Sequence, residues 1–169
     1  MELQIKIGIS SCLLGNNVRY DGGNKLDRYL ADTLGRFVQY VPVCPEVEYG
    51  LPVPREPMHL EGAPSSPRLV TLDTHTDYTA KMTEWAGTRM AGLEKEELCG
   101  FVFKSKSPSC GIDGIKVYPE TGGPADDGVG IFARSFMERF PFLPVEDEAR
   151  LQDPVIRERF IERVFAFKR

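Results

Sequence analysis

Along the chain, hydrophobic positions switch repeatedly between a spacing of two and a spacing near 3.6. Residues 4–11, QIKIGISS, place Ile5, Ile7 and Ile9 at alternate positions, which predicts an opening strand. It runs out into the turn-rich stretch CLLGNNVRYDGGN. Asn24 is a capping type, and Leu26, Tyr29, Leu30 and Leu34 share one helical face behind it, so a helix is expected over 25–37. VQYVPV, residues 38–43, reads as a second strand that stops at Cys44-Pro45. Strand, helix and strand at this spacing make a βαβ unit with a right-handed crossover and parallel pairing. Residues 45–67 carry six prolines and are expected to be irregular, because proline fixes φ and removes a backbone donor. Further strands are expected at 68–72 (RLVTL), 99–104 (CGFVFK) and 115–120 (IKVYPE), and helices at 76–95 and 129–140. ETGGPADDGVG is expected to be a flexible loop. From Asp153 the tail DPVIRERFIERVFAFKR opens on an Asp-Pro start signal and reads as an amphipathic helix.

These elements predict an α/β fold: a single domain with a mainly parallel sheet flanked by helices. It is Rossmann-like but lacks a dinucleotide fingerprint, since Gly22-Gly23 does not follow the GxGxxG order after the first strand. Residues 1–152 form the expected α/β unit, and 153–169 a C-terminal helix. A length of 169 residues suits one domain with its own core. The formal charge of -4 excludes a molecule that is basic overall and traps nucleic acid, though not a local basic patch. No run of about 18 apolar residues is present, and the N-terminus lacks the charged and apolar regions of an export signal. The expected location is therefore the cytoplasm, with no membrane partner.

In that compartment structural disulfides are rare, so the four cysteines read as packing, redox thiols or metal ligands. There is no CxxC pair, and the two histidines, His59 and His75, show no zinc-type spacing. Cys12 follows the strand at 4–11, Cys44 ends the strand at 38–43, and Cys110 lies just beyond the strand at 99–104. If these strands are parallel, all three thiols share the carboxyl edge of the sheet, where open α/β sheets place their ligands. Cys99 opens its strand and belongs at the opposite edge. Three thiolates with no matching histidine suit a soft metal: zinc, copper(I) or iron–sulfur. Three protein ligands leave one metal position open, as catalytic centres require. Spacing alone does not separate a three-thiolate zinc hydrolase from an iron–sulfur enzyme, or from a non-catalytic cluster-binding RNA adaptor.

The segments ISSCLLGNNVRYDGGNK, VPVCPEVEYGLPVPREP and FVFKSKSPSCG resemble, in that order, the three motifs of the thiouracil desulfidase family, formerly a domain of unknown function. The resemblance runs to about residue 150. It implies an oxygen-sensitive [4Fe–4S] cluster bound by three cysteines with one open iron, here Cys12, Cys44 and Cys110. It implies desulfidation of a thiolated uracil by water, giving uracil and sulfide. The family's acidic residue falls on Glu46 and its catalytic serine on Ser107. Ser11 and Ser109, each beside a ligand cysteine, are candidates for substrate binding. Arg19, Arg55, Lys104 and Lys106 crowd the same edge as surface or structural residues. The implied partner is a small thiolated pyrimidine. The tail resembles the junction to a second domain in longer relatives that look like enzymes acting on thiouridine in tRNA, which makes tRNA a partner through that domain.

Overall fold

The structure, a computed structural model, describes residues 4–168. The first three residues of the unit expected over 1–152, and Arg169 of the terminal helix, lie outside the described residues. In chain order the elements begin with β1 (Lys6–Ser10), β2 (Gln39–Val43), α1 (Pro45–Glu48), β3 (Met58–Ala63) and β4 (Ser66–Thr71). They continue with α2 (Thr79–Glu96), β5 (Gly100–Phe103), β6 (Ile115–Tyr118) and β7 (Ala125–Gly128). The last are α3 (Ile131–Arg139), β8 (Val145–Asp147) and α4 (Pro154–Lys168).

The expected parallel sheet is present, with strand order β2-β1-β5-β8 and every neighbour parallel. Its two faces are covered differently. Ile5, Ile7, Ile9 and Val102 pack with Leu30, Leu34, Phe160 and Val164, so α4 and the helical stretch after Asp27 cover one face. Phe101 and Phe103 turn the other way, onto Ala86, Met90, Phe132 and Phe136 of α2 and α3. The rings of Phe101 and Phe136 lie 4.8 Å apart, an aromatic contact that adds about 0.5–1.5 kcal/mol beyond burial. Gly8 is needed on β1 because a Cβ there would strike the Phe101 ring of the neighbouring strand.

A second sheet, absent from the expected organisation, has the order β4-β3-β6-β7. Its pairings are antiparallel except β3 with β6. Leu60, Leu69 and Val117 from this sheet pack with Met82 of α2 and Ile131 of α3. The strand expected at 115–120 therefore belongs here rather than in the parallel sheet. The supposedly irregular segment 45–67 contains α1, β3 and the start of β4, and the supposedly flexible loop contains β7. Pro67, one of the six prolines that discouraged strands, lies in β4, and Pro42 lies in β2; both strands are sheet edges, where a missing N–H leaves no central ladder bond unmade.

The helix expected over 25–37 starts later. Asn24 Oδ1 accepts only the Leu26 N–H, in a local turn, whereas Asp27 Oδ1 accepts the Leu30 N–H at 3.0 Å. The stretch that follows is a π-helical segment, Tyr29–Thr33, and then a 3₁₀ turn, Leu34–Arg36. At the other end of the chain Asp153 Oδ1 accepts the Val155 N–H, and Pro154 opens α4. No helix among the described residues is long and apolar enough to cross a membrane.

Candidate active site

The carboxyl edge of the parallel sheet carries three loops from three adjacent strands. Cys12 lies in the 3₁₀ turn Ser11–Leu14 directly after β1, and Gly15 ends that turn with a φ of 91°. Cys44 links β2 to α1, and its N–H donates to Glu48 Oε2 at 2.9 Å. Cys110 lies on the loop after β5. That loop is fixed by its own backbone, Gly111 N–H to Ser107 O, and by α3, whose Phe132 and Ala133 N–H groups donate to Ser109 O. Gly130 permits this close approach, since a Cβ there would collide with the Ser109 backbone. All three cysteines line one cavity, together with Ser10, Ser11, Arg19, Glu46, Arg55, Lys104 and Ser107. Cys99 does not; it is buried among Ile5, Val102 and Val164 in the core.

The three thiols are free and largely withdrawn from water, Cys12 being 8% and Cys110 5% exposed. Burial pushes the Cys12 thiol up to about 11, against a smaller opposing pull from Lys104 and Arg19. Burial likewise raises Cys44, and raises Cys110 well above the ordinary thiol range. Cys12 and Cys44 each add to the rise at Cys110, so the three sulfurs act on one another across the cavity.

Glu46, the second residue of α1, points its carboxylate at the cavity and is held from behind by Arg55. Their Oε2 and Nη2 atoms lie 3.1 Å apart. The Arg55 side chain is only 5% exposed, and it also donates to Val18 O at 2.8 Å and Pro52 O at 3.1 Å. Of the surface or structural roles expected for Arg55, the structure shows the structural one, as a buried partner of the acidic residue. Ser107 Oγ accepts the N–H groups of Ser109, at 3.2 Å, and of Cys110, at 3.0 Å. Its hydroxyl both braces the Cys110 loop and faces the cavity. Ser11 Oγ accepts the Asn16 side-chain amide at 2.8 Å. Ser109 is buried with its hydroxyl unpartnered and does not line the cavity.

Ser10 was missed in the sequence. It lines the cavity with the three cysteines, and its Oγ accepts the Lys104 N–H at 2.9 Å. The only hint was register: the face of β1 opposite the isoleucines presents Lys6, Gly8 and Ser10, so Ser10 is the last such position before the turn that carries Cys12.

The cavity opens into an outer cleft of about 820 Å³ that shares Arg19, Glu46, Lys104 and Ser107 with it. Lys25, Tyr20, Met58 and Lys106 line the cleft farther out. Lys104 is anchored by Glu148, at 3.1 Å, and Glu148 also accepts the Ser105 N–H and hydroxyl. Glu148, just past β8, was likewise unmarked in the sequence.

The donors fit one kind of inorganic group better than another. Among the described residues no set of three or more His, Cys, Asp or Glu side chains is arranged to hold a single metal ion. A mononuclear zinc, with Zn–S bonds of about 2.3 Å, would need its sulfurs within about 4.6 Å of one another. Three sulfurs set around a shared cavity suit a polynuclear cluster, in which each thiolate meets a different iron. The cavity that the three thiols line with their neighbours has a volume of about 50 Å³.

Comparison with known proteins finds one family over most of the chain. Residues 7–148 match the model of a family described as 2-thiouracil desulfurase. The chain is 28% identical over 108 residues to the uncharacterized protein YbbK of Bacillus subtilis (strain 168), covering 61% of this chain and 71% of that one. It superposes on the solved structure of the [4Fe-4S]-dependent thiouracil desulfidase TudS with a TM-score of 0.69 and 31% identity, over 92% of this chain and 99% of that chain. With three cysteine loops on one sheet edge, and a family match that spans all of them, the chain belongs to the 2-thiouracil desulfurase family.

Proposed function

We propose that this protein is an iron–sulfur-dependent desulfidase that converts a thiolated uracil and water into uracil and sulfide. In this reading Cys12, Cys44 and Cys110 hold a [4Fe–4S] cluster with one iron left open. The observation that carries it is the convergence of those three thiols with Glu46 and Ser107 on one cavity at the floor of a large cleft. The name of the solved neighbour, which is [4Fe-4S]-dependent, supports the cofactor.

Bound there, the cluster supplies a Lewis acid with affinity for sulfur. The chain's own residues handle the water and the protons. Glu46 accepts a proton from the water that attacks the ring carbon, and Arg55 fixes the carboxylate in place for that transfer. Ser107, whose oxygen is already engaged by two N–H groups, directs its own proton into the cavity and donates to substrate or water. The C–S bond breaks as the C–O bond forms, and the two protons of water leave with the sulfide. Arg19 and Lys104 offset the negative charge that three thiolates bring to a partly dry site. The cleft accommodates a thiolated uracil as free base or nucleotide. In longer relatives of the kind the tail resembles, the second domain would be the part that engages a thiolated tRNA. A cytoplasmic location belongs to this reading, because free thiols and an oxygen-sensitive cluster suit a reducing compartment.

The test is anaerobic reconstitution with iron and sulfide, followed by incubation with 2- and 4-thiouracil. We expect a brown protein that releases sulfide. Cys12→Ala, Cys44→Ala and Cys110→Ala should lose both colour and activity, and Cys99→Ala should keep them. A colourless protein that binds zinc, or a cluster lost only with Cys99→Ala, would overturn the assignment.

A further inference from the structure

We propose, on the desulfidase reading given above, that Arg19 binds the substrate ring, its guanidinium donating to the carbonyl oxygen that a thiolated uracil keeps. Arg19 lines both the cavity of the three cysteines and the outer cleft. Two other cations border that cavity, and both are already committed. Arg55 holds Glu46, Val18 O and Pro52 O, and Lys104 holds Glu148 and the Ser105 carbonyl. Arg19 is half-buried, its Nε is shut off from solvent, and its side chain makes no hydrogen bond or ion pair among the described residues. Its guanidinium carbon lies 5.7 Å from the centre of the Tyr20 ring, a contact that uses none of its N–H donors. A buried donor without an acceptor calls for a partner. Lys25 and Lys106, farther out in the cleft, are exposed, and water serves them.

The backbone holds Arg19 in place. Its N–H donates to Gly23 O at 3.2 Å, and its carbonyl accepts the Gly22 N–H at 2.9 Å. The carbonyls on either side of it both accept from Arg55. Val18 O takes the Arg55 side chain, and Tyr20 O takes the Arg55 N–H at 2.8 Å. Arg55 thus ties the loop of Arg19 and the carboxylate of Glu46 into one frame.

A thiolated uracil offers a thiocarbonyl, a carbonyl and two ring N–H groups. A guanidinium only donates, so the carbonyl oxygen, the stronger acceptor, is its match. Sulfur and oxygen sit on the two carbons that flank one ring nitrogen. A grip on the oxygen therefore sets which way the ring turns its sulfur, and a substrate without that oxygen leaves the arginine unpaired.

Iron-replete wild type, Arg19→Gln and Arg19→Lys are to be compared in two ways. Calorimetric titration with uracil reads binding without turnover. Sulfide release is followed from 4-thiouracil and from pyrimidine-4-thione, the same ring without its oxygen. Arg19→Gln should weaken uracil binding by roughly 10–100-fold and lower kcat/KM for 4-thiouracil by a similar factor, through KM more than kcat. With pyrimidine-4-thione the substitution should leave kcat/KM unchanged, and Arg19→Lys should fall between wild type and Arg19→Gln on uracil. Unchanged uracil binding in Arg19→Gln overturns the proposal. So does an equal loss on both thiones, which is what an arginine serving only structure or charge balance would produce. Weakened uridine 5′-monophosphate with unchanged uracil also overturns it, in favour of a phosphate contact. If Arg19→Gln does not keep its iron, wild type and Arg19→Lys decide, and a wild type that uses pyrimidine-4-thione as well as 4-thiouracil overturns the proposal. A wild type that releases no sulfide from either thione is a different result, which overturns the desulfidase reading instead.

Discussion

Arg55 and Glu46 form an ion pair that is nearly dry on the arginine side, and pairs of this kind serve orientation more than stability. Replacing Glu46 by Gln keeps the shape and removes the proton acceptor. We expect kcat for thiouracil to fall by about 10²–10⁴-fold, with the iron content and visible spectrum unchanged. Arg55→Lys should reduce kcat less, because an ammonium keeps the charge but loses the planar fork that reaches Val18 O and Pro52 O. Steady-state kinetics on iron-replete protein check both. At this scale the three clustered cysteines were legible and the residues that brace them were not. A cysteine just past a strand end announces its place, because the sheet fixes where strand ends lie. Arg55, Ser10 and Glu148 reveal themselves only through partners distant in sequence, and no local pattern encodes those pairings.

Elements with strong periodicity were legible for the same kind of reason. The alternating isoleucines of β1 and the spaced apolar positions of α2 each bury a continuous face. β3, β7 and β8 bury little: β3 fully buries only Leu60, β7 only Gly128, and β8 only Asp147. Pairing with better-packed neighbours, not their own hydrophobicity, makes them strands, so of the second sheet only β4 and β6 were legible in the sequence. The terminal helix α4 is the opposite case. Phe160 and Val164 insert into the core beside Ile5 and Ile7, on one face of the parallel sheet. Phe160→Ala should therefore destabilise the protein by about 3–5 kcal/mol, although it lies far along the chain from every ligand loop. Urea unfolding of the variant against wild type measures this, and a change under about 1 kcal/mol would show that α4 is not part of the core.

For the whole molecule, the burial of three thiols ties stability to both pH and metal. Each thiol is held above its ordinary range, near 9, in the folded protein without metal, Cys12 at about 11. The sign follows from linkage: a raised acid group favours folding below its unfolded value, and that contribution disappears as pH climbs toward the folded value. The metal-free protein should thus lose stability between about pH 9 and 11, seen as a falling urea midpoint. Once loaded, the thiols are already thiolates bound to metal, and the loaded protein should unfold at higher urea throughout that range. The strand order β2-β1-β5 gives this a wider meaning. Three neighbours in the sheet are remote in the chain, so a group that grips the loops after all three ties together segments that an unfolded chain would let drift apart. It closes two long loops at once, as a pair of cross-links would. Oxygen that dismantles the group would then do more than stop turnover. It would cut the fastening between the first third of the protein and the rest, leaving a chain that is inactive and easier to unfold in a single event.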